Sequence, residues 1–414
     1  MNSTSDPNQK LQTVSIHSGR HVDPATGSVT TPLYTSTTFE RDADGEFSRH
    51  YFYSRIDNPN RSSLEQCLAD LEGGVEAVAF SSGMAASLAV FQALDPGDHV
   101  VLHRDLYFGV RELITGLFSR WGLKHSFVDM RNVEELRSGC RAETKLLWLE
   151  TPTNPLIEVV EIAPVVECAR SLQIPLACEN TFATPVLQRP LELGADLVIH
   201  ALTKYISGHC DALGGAVIFG QQSQLARRIK DFQRVGGAGL SPFDCWLILR
   251  GVQTLVPRMR LHCENARRVA EFLSTHPAVA VVHYPGLPCD PGHAIASRQM
   301  RDFGGMLSFE VRGGRDEAFA VTSRLKLIVR ATSLGGTHSL IEHRASIEGV
   351  FSRSPESLLR LSVGLEGAED LIADLDHLDK SASDSTLVCA DTPTSPWVAA
   401  EKLWSGCSPG LQSV

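Results

Sequence analysis

From Ser63 the apolar positions fall at helical spacing. Leu64, Cys67, Leu68 and Leu71 occupy i, i+3, i+4 and i+7, and Gly73-Gly74 closes the run. Downstream, short apolar runs alternate with helix-like stretches. The runs Ala77–Phe80, Val100–Leu102, Leu146–Leu149, Leu176–Cys178, Leu197–Ala201 and Ala216–Phe219 predict strands. That alternation predicts an α/β architecture, a mainly parallel sheet covered by helices on both faces. The stretch from Pro242 to Leu273 predicts a long helix leading into a second unit, kinked or interrupted at Pro257. Val279–His283, Met306–Glu310 and Leu359–Val363 predict strands of a smaller C-terminal α/β domain. The expected division is an extended arm at 1–60, a large domain at 61–255, a small domain at 256–380 and a mobile tail at 381–414.

Composition narrows the class without naming a function. The 414 residues are 43% hydrophobic and 21% charged, as in water-soluble globular proteins, and suffice for a large core. The balance of 38 basic against 48 acidic residues gives a net charge of −10, which argues against nucleic acid or an anionic membrane as partner. No apolar run is long enough to span a bilayer, and the start MNSTSDPNQK lacks a signal-peptide core. Ten scattered cysteines form no C-x-x-C pair and no metal-ligand spacing, so no metal is expected and a reducing, cytoplasmic setting is. A nicotinamide-binding enzyme is disfavoured because no G-x-G-x-x-G follows an early strand.

Two predicted strands end in ionisable groups of opposite sign. Glu179 follows the run ending at Cys178, and Lys204 follows the run Leu197–Leu202. Ligands of open α/β sheets gather at the carboxyl ends of strands. A lysine there can form a Schiff base with a carbonyl cofactor while an acid partners a pyridinium nitrogen, the requirements of pyridoxal 5'-phosphate (PLP). Ser81-Ser82-Gly83-Met84, between the strand Val75–Phe80 and the apolar helix Ala85–Leu94, suits a phosphate at a helix N-terminus. Locally each piece also has an ordinary reading. The tetrapeptide fits a plain helix cap, and Lys204 a solvated surface lysine.

The longer pattern resembles the PLP-dependent Cys/Met-metabolism (transsulfuration) enzymes from about Thr13 to Leu378. The motifs are YSRIDNPN (Tyr53–Asn60), SSGMAA (Ser81–Ala86), ETPTNP (Glu150–Pro155), NTFATP (Asn180–Pro185), TKYISGH (Thr203–His209), SPFDCWLILRG (Ser241–Gly251), SLGG with IEHRAS (Ser333–Ser346) and LLRLSVGLE (Leu358–Glu366), all in order. The resemblance implies PLP as cofactor and the type I fold of PLP-dependent transferases. Lys204 would be the Schiff-base lysine and proton carrier. Gly83, Met84 and Thr203 would hold the phosphate, Tyr107 would stack on the ring, and Asn154 would bond its hydroxyl. Arg360, with Ser333 close by, would clamp the substrate carboxylate. Tyr53 and Arg55 would reach a neighbouring subunit's site, so a homotetramer, a dimer of dimers with shared active sites, is implied.

The chain departs from that pattern in four places. Glu179 stands where the family has Asp as pyridine partner. Ala201 replaces a phosphate-binding Ser, a bond to a charged group worth roughly 1.5–3 kcal/mol. His338 stands where γ-specific members carry a Glu, adding it to the substrate-side residues, and the segment between Ser346 and Leu358 is shortened. The implied activity is elimination or replacement at the γ-carbon of a sulfur amino acid or O-acylhomoserine. His338 pulls toward a cystathionine β-lyase or a γ-substituting enzyme of specialised metabolism. Glu179 and Ala201 leave open a PLP-binding protein with little catalysis.

Overall fold

The computed structural model describes residues 9–349 and 352–376, and the tail expected at 381–414 lies outside the described residues. Seven strands form the larger sheet: β1 (Glu76–Phe80), β2 (His99–His103), β3 (Lys124–Val128), β4 (Thr144–Glu150), β5 (Leu176–Glu179), β6 (Leu197–His200) and β7 (Gly215–Phe219). Their order is β1-β7-β6-β5-β4-β2-β3. All are parallel except β7, which runs antiparallel to β1 and β6. The sheet is thus mainly parallel, as its unbroken apolar runs predict.

Alternation along β4 shows why both faces need covering. Leu146 and Trp148 join a cluster with Val90 and Phe91 of the helix Gly83–Gln92, while Leu147 and Leu149 join Val165 and Val166 of the helix Ile162–Leu172. Successive side chains of a strand point to opposite faces, so a run without polar residues demands a helix on each side. Leu64, Leu68 and Leu71 of the helix Pro59–Glu72 are fully buried, each worth about 1.5–3 kcal/mol of apolar burial. Strand β3 has no such signal. Its sequence Lys-His-Ser-Phe-Val sits at the sheet edge with only Val128 buried.

The second sheet comprises β8 (Val279–His283), β9 (Met306–Val311), β10 (Val329–Arg330), β11 (Leu340–His343) and β12 (Leu358–Ser362), in the order β10-β11-β12-β9-β8. Its pairings are antiparallel apart from β10 with β11. The two-residue β10 and four-residue β11 are too short for a periodicity to show. The first sixty residues are not wholly extended. They contain a helix, Leu11–His17, whose Val14 is buried against the core.

The expected long helix is two helices, Pro242–Val252 and Leu255–Thr275. The break precedes Pro257 instead of falling on it. Pro257 occupies the first turn of the second helix, where backbone N–H groups lack intrahelical acceptors and a missing donor costs nothing. That helix then fixes the turn after Lys204. The buried Arg258 donates from Nη1 to Tyr205 O at 2.7 Å and from Nη2 to Gly251 O at 2.9 Å and Ile206 O at 3.4 Å. Gly208, at φ +75°, lies so close that a Cβ there would stand 2.0 Å from Arg258 Nη1. Arg258→Ala leaves these carbonyls without their donor, so urea unfolding should show a loss of roughly 2–4 kcal/mol. A change below about 0.5 kcal/mol, the range of surface substitutions, would show that the guanidinium does not hold the turn.

Candidate active site

The carboxyl ends of β4, β5 and β6 open into a cavity of about 230 Å³. Lys204, Glu179, Tyr107, Asn154, Gly83, Met84, Thr203, Ser333 and Arg360 all line it. Tyr53, Arg55 and His338 do not. Tyr53 and His338 are exposed, and Arg55 donates to Arg234 O at 2.6 Å elsewhere on the chain.

Lys204 reaches the cavity four residues beyond the end of β6. Its Nζ donates to Ser333 Oγ at 2.7 Å. Burial, and then the Arg360 charge, lower its pKa to about 8. Roughly a fifth of the amine is therefore neutral at pH 7.4, far more than for an ordinary lysine, and this fraction serves as nucleophile and base. Ser333 holds a left-handed backbone, φ +87°, which is rare for a residue with a side chain. Its carbonyl accepts from Arg360 Nη2 at 3.2 Å, so the amine and the guanidinium are tied through one residue.

At the other end of the cavity, Ser82 caps the helix Gly83–Gln92 by accepting from Ala85 N–H at 3.0 Å. The amides of Gly83 and Met84 in that first turn have no intrahelical acceptor. A Cβ on Gly83 would stand 2.7 Å from Ala201 Cβ, so only glycine lets the backbone approach so closely. The Thr203 hydroxyl exchanges hydrogen bonds with the backbone of Gly214, at 3.2 Å to O and 3.1 Å from N.

Glu179 at the end of β5 is folded back onto Thr181. It accepts from Thr181 N–H at 3.3 Å and from the Thr181 hydroxyl, whose oxygen in turn accepts from Ala201 N–H at 2.8 Å. The extra methylene relative to Asp is taken up by this local turn. Beside it in register on β4 stands Glu150, which the sequence reading did not select. Its Oε2 accepts from Tyr107 N–H at 2.9 Å, placing the aromatic ring at the cavity wall. Burial and then the Glu179 charge push the Glu150 carboxyl well above its ordinary value. Burial also raises Glu179, but the Thr181 hydrogen bonds and the nearby His200 and Lys204 oppose it. Two adjacent buried carboxyls cannot both ionise cheaply, and the push toward the protonated form is the stronger at Glu150.

Arg360 on β12 donates from Nη1 to Asn154 Oδ1 at 2.8 Å and from Nη2 to Glu342 Oε1. Glu342 also accepts from Arg344 Nη1 at 2.7 Å. Arg344 lines the cavity and was likewise missed. Glu150 was findable, because it ends an apolar run by the same rule that selected Glu179. Arg344 and Glu342 were not, because their place follows from the unrecognised β11.

The chain matches the family of Cys/Met metabolism PLP-dependent enzymes over residues 12–378. It belongs to that family. It is 46% identical to cystathionine gamma-synthase of Mycobacterium leprae over 88% of this chain and 95% of the relative. It is 44% identical to cystathionine beta-lyase of Coxiella burnetii over 90% of this chain and 99% of the relative. The crystal structure of metB from Corynebacterium glutamicum superposes with a TM-score of 0.88 at 43% identity, covering 90% of this chain and 98% of that one. The protein is thus a PLP-dependent enzyme of type I architecture. Its cavity fits the cofactor, with helix-terminal amides that lack intrahelical acceptors suited to a phosphate, a partly neutral amine suited to a carbonyl carbon and a carboxyl suited to a ring nitrogen.

Two measurements test this fit. Ala201→Ser places a hydroxyl beside the Gly83 amide, and one bond to a phosphate should lower the PLP dissociation constant about tenfold. An unchanged constant would place the phosphate elsewhere. The rate at which apoprotein captures PLP should rise with pH as Lys204 loses its proton, with a midpoint near 8. A midpoint near the ordinary lysine value of about 10.4 would contradict the burial argument.

Proposed function

We propose that this protein catalyses elimination or replacement at the γ-carbon of a sulfur amino acid or an O-acylhomoserine. The observation that carries the proposal is the Lys204 amine, 2.7 Å from Ser333, whose carbonyl rests on Arg360. A substrate carboxylate held by Arg360 brings its Cα and Cβ within the sweep of that one amine. Reaction at a γ-carbon needs protons moved at both positions, and a base with a pKa of about 8 suits both directions of transfer.

When bound, PLP supplies an electron sink for charge developing at the substrate Cα. The chain supplies the rest. Lys204 removes the Cα proton and then carries protons at Cβ as the γ-substituent leaves. Glu179 would partner the ring nitrogen, the amides of Gly83 and Met84 would hold the phosphate, and Thr203 would join them by turning its hydroxyl from Gly214 O. Asn154 already accepts from Arg360, so it offers a ring hydroxyl its amide N–H. Tyr107, at the cavity wall, would stack on the ring. Arg360 orients the carboxylate, and Glu150 fixes Tyr107 by accepting from its N–H.

Tyr53 and Arg55, outside the chain's own cavity, serve a second copy in this reading, within a homotetramer built as a dimer of dimers in the cytoplasm. Among the described residues no helix is long and apolar enough to cross a membrane. The division into arm, large domain, small domain and tail belongs to the same proposal. Elimination at Cβ is the second reading, supported by the β-lyase relative of equal similarity. His338, exposed and not among the cavity-lining side chains, stays a candidate for the choice between the two readings.

Incubation with L-cystathionine, an O-acylhomoserine or methionine should release 2-oxobutyrate, or give a replacement product when a thiol is supplied. Pyruvate would establish the β-reading, and no turnover of any of these would leave a PLP-binding protein with little catalysis. Lys204→Ala should lower turnover by about a thousandfold and abolish the cofactor's visible absorbance band. Retention of both would overturn the assignment.

A further inference from the structure

A guanidinium offers a carboxylate two faces with paired parallel N–H bonds, one formed by Nε with Nη2 and one by Nη1 with Nη2. Both need Nη2. In this structure Arg360 Nη2 is taken up by Glu342 Oε1 and by Ser333 O at 3.2 Å. No complete face of Arg360 is open to a substrate.

Backbone register holds Glu342 in that place, since it lies directly opposite Arg360 in the antiparallel pair of β11 and β12. A substrate carboxylate arriving at Arg360 meets a like charge in a buried site, so Glu342 is the group that must yield. It has somewhere to go. The same Oε1 accepts from Arg344 Nη1 at 2.7 Å, and Glu342 Oε2 is buried without a hydrogen-bond partner. Arg344 is itself anchored on its other side, donating to Glu348 Oε1 from Nε at 3.2 Å and from Nη2 at 2.8 Å. It is a fixed post about which Glu342 can turn without losing its counter-charge.

We propose that Glu342 occupies the carboxylate-binding face of Arg360 in the substrate-free enzyme, and that Arg344 is the positioning residue that draws Glu342 aside when substrate binds. This rests on the reading that Arg360 holds the substrate carboxylate. The device gives two neighbouring charged residues opposite effects on affinity, which a merely structural cluster would not do.

The experiment titrates PLP-loaded protein with glycine, which has the amine and carboxylate but no leaving group, and follows the cofactor's absorbance. The Michaelis constant of a turned-over substrate is measured alongside. Glu342→Gln keeps the shape and removes the competing charge, so glycine should bind about fivefold tighter, with KM falling in step and kcat changing less. Arg344→Met leaves Glu342 on Arg360, so both constants should rise by about the same factor, and Arg344→Lys should restore part of the loss. Weaker or unchanged glycine binding in Glu342→Gln overturns the proposal, and this variant decides alone if Arg344→Met does not fold. Arg360→Ala separates the two levels. If it leaves glycine binding intact, the carboxylate-clamp reading falls and the place-holder with it. If it abolishes binding while Glu342→Gln weakens it, only the place-holder falls.

Discussion

An amine kept out of water cannot hold its proton as firmly as one in water, and the site is arranged around that fact at Lys204. Its burial, with the Arg360 charge nearby, lowers its pKa to about 8 and so raises its neutral fraction near neutral pH far above that of an exposed lysine. The turn that carries it is tied down by Arg258, and its Nζ is aimed by Ser333. Burial at the same site strengthens every other charge placed there. It pushes the Glu150 carboxyl well above its ordinary value beside Glu179, and it makes any unmatched charge around Arg360 costly. The larger sheet makes such a cavity possible, because parallel strands deliver Glu150, Glu179 and Lys204 to one edge.

Most of the large sheet was legible in the sequence, because its central strands are apolar on both faces and read as unbroken runs. Edge strand β3 was not, since its incomplete burial and three polar residues erase the signal. Strand β11 was lost to its brevity, and with it the cross-strand partner of Arg360. Pro257 misled because its position within a helix matters more than its presence. The site residues with sharp local context, Lys204 and Glu179, were visible from strand ends alone. The turn Ser81–Met84 took on a phosphate-binding expectation only through the succession of family motifs. The placement of Glu342 opposite Arg360 is a long-range register fact that no local pattern encodes.

The departures at Glu179 and Ala201 look less damaging in three dimensions than they do in sequence. Glu179 folds back onto Thr181, and Thr181 in turn accepts the Ala201 amide, so the two altered positions share one hydrogen-bonded turn. What stays missing is a hydroxyl at 201 beside the helix terminus. The charged quartet of Glu342, Arg344, Glu348 and Arg360 is balanced in itself, two cations against two anions, all buried. A carboxylate entering at Arg360 would add a third anion to this balanced set, so in the proposed reading the small sheet takes part in substrate capture as well as the large one.

The central claim is that Lys204 is the residue that captures the cofactor. Borohydride reduction of the PLP-loaded protein, followed by digestion and mass spectrometry, locates the attachment directly. The account predicts the pyridoxyl label on Lys204, in the peptide containing Thr203 and Tyr205. A label on another lysine, or none at all, would contradict it.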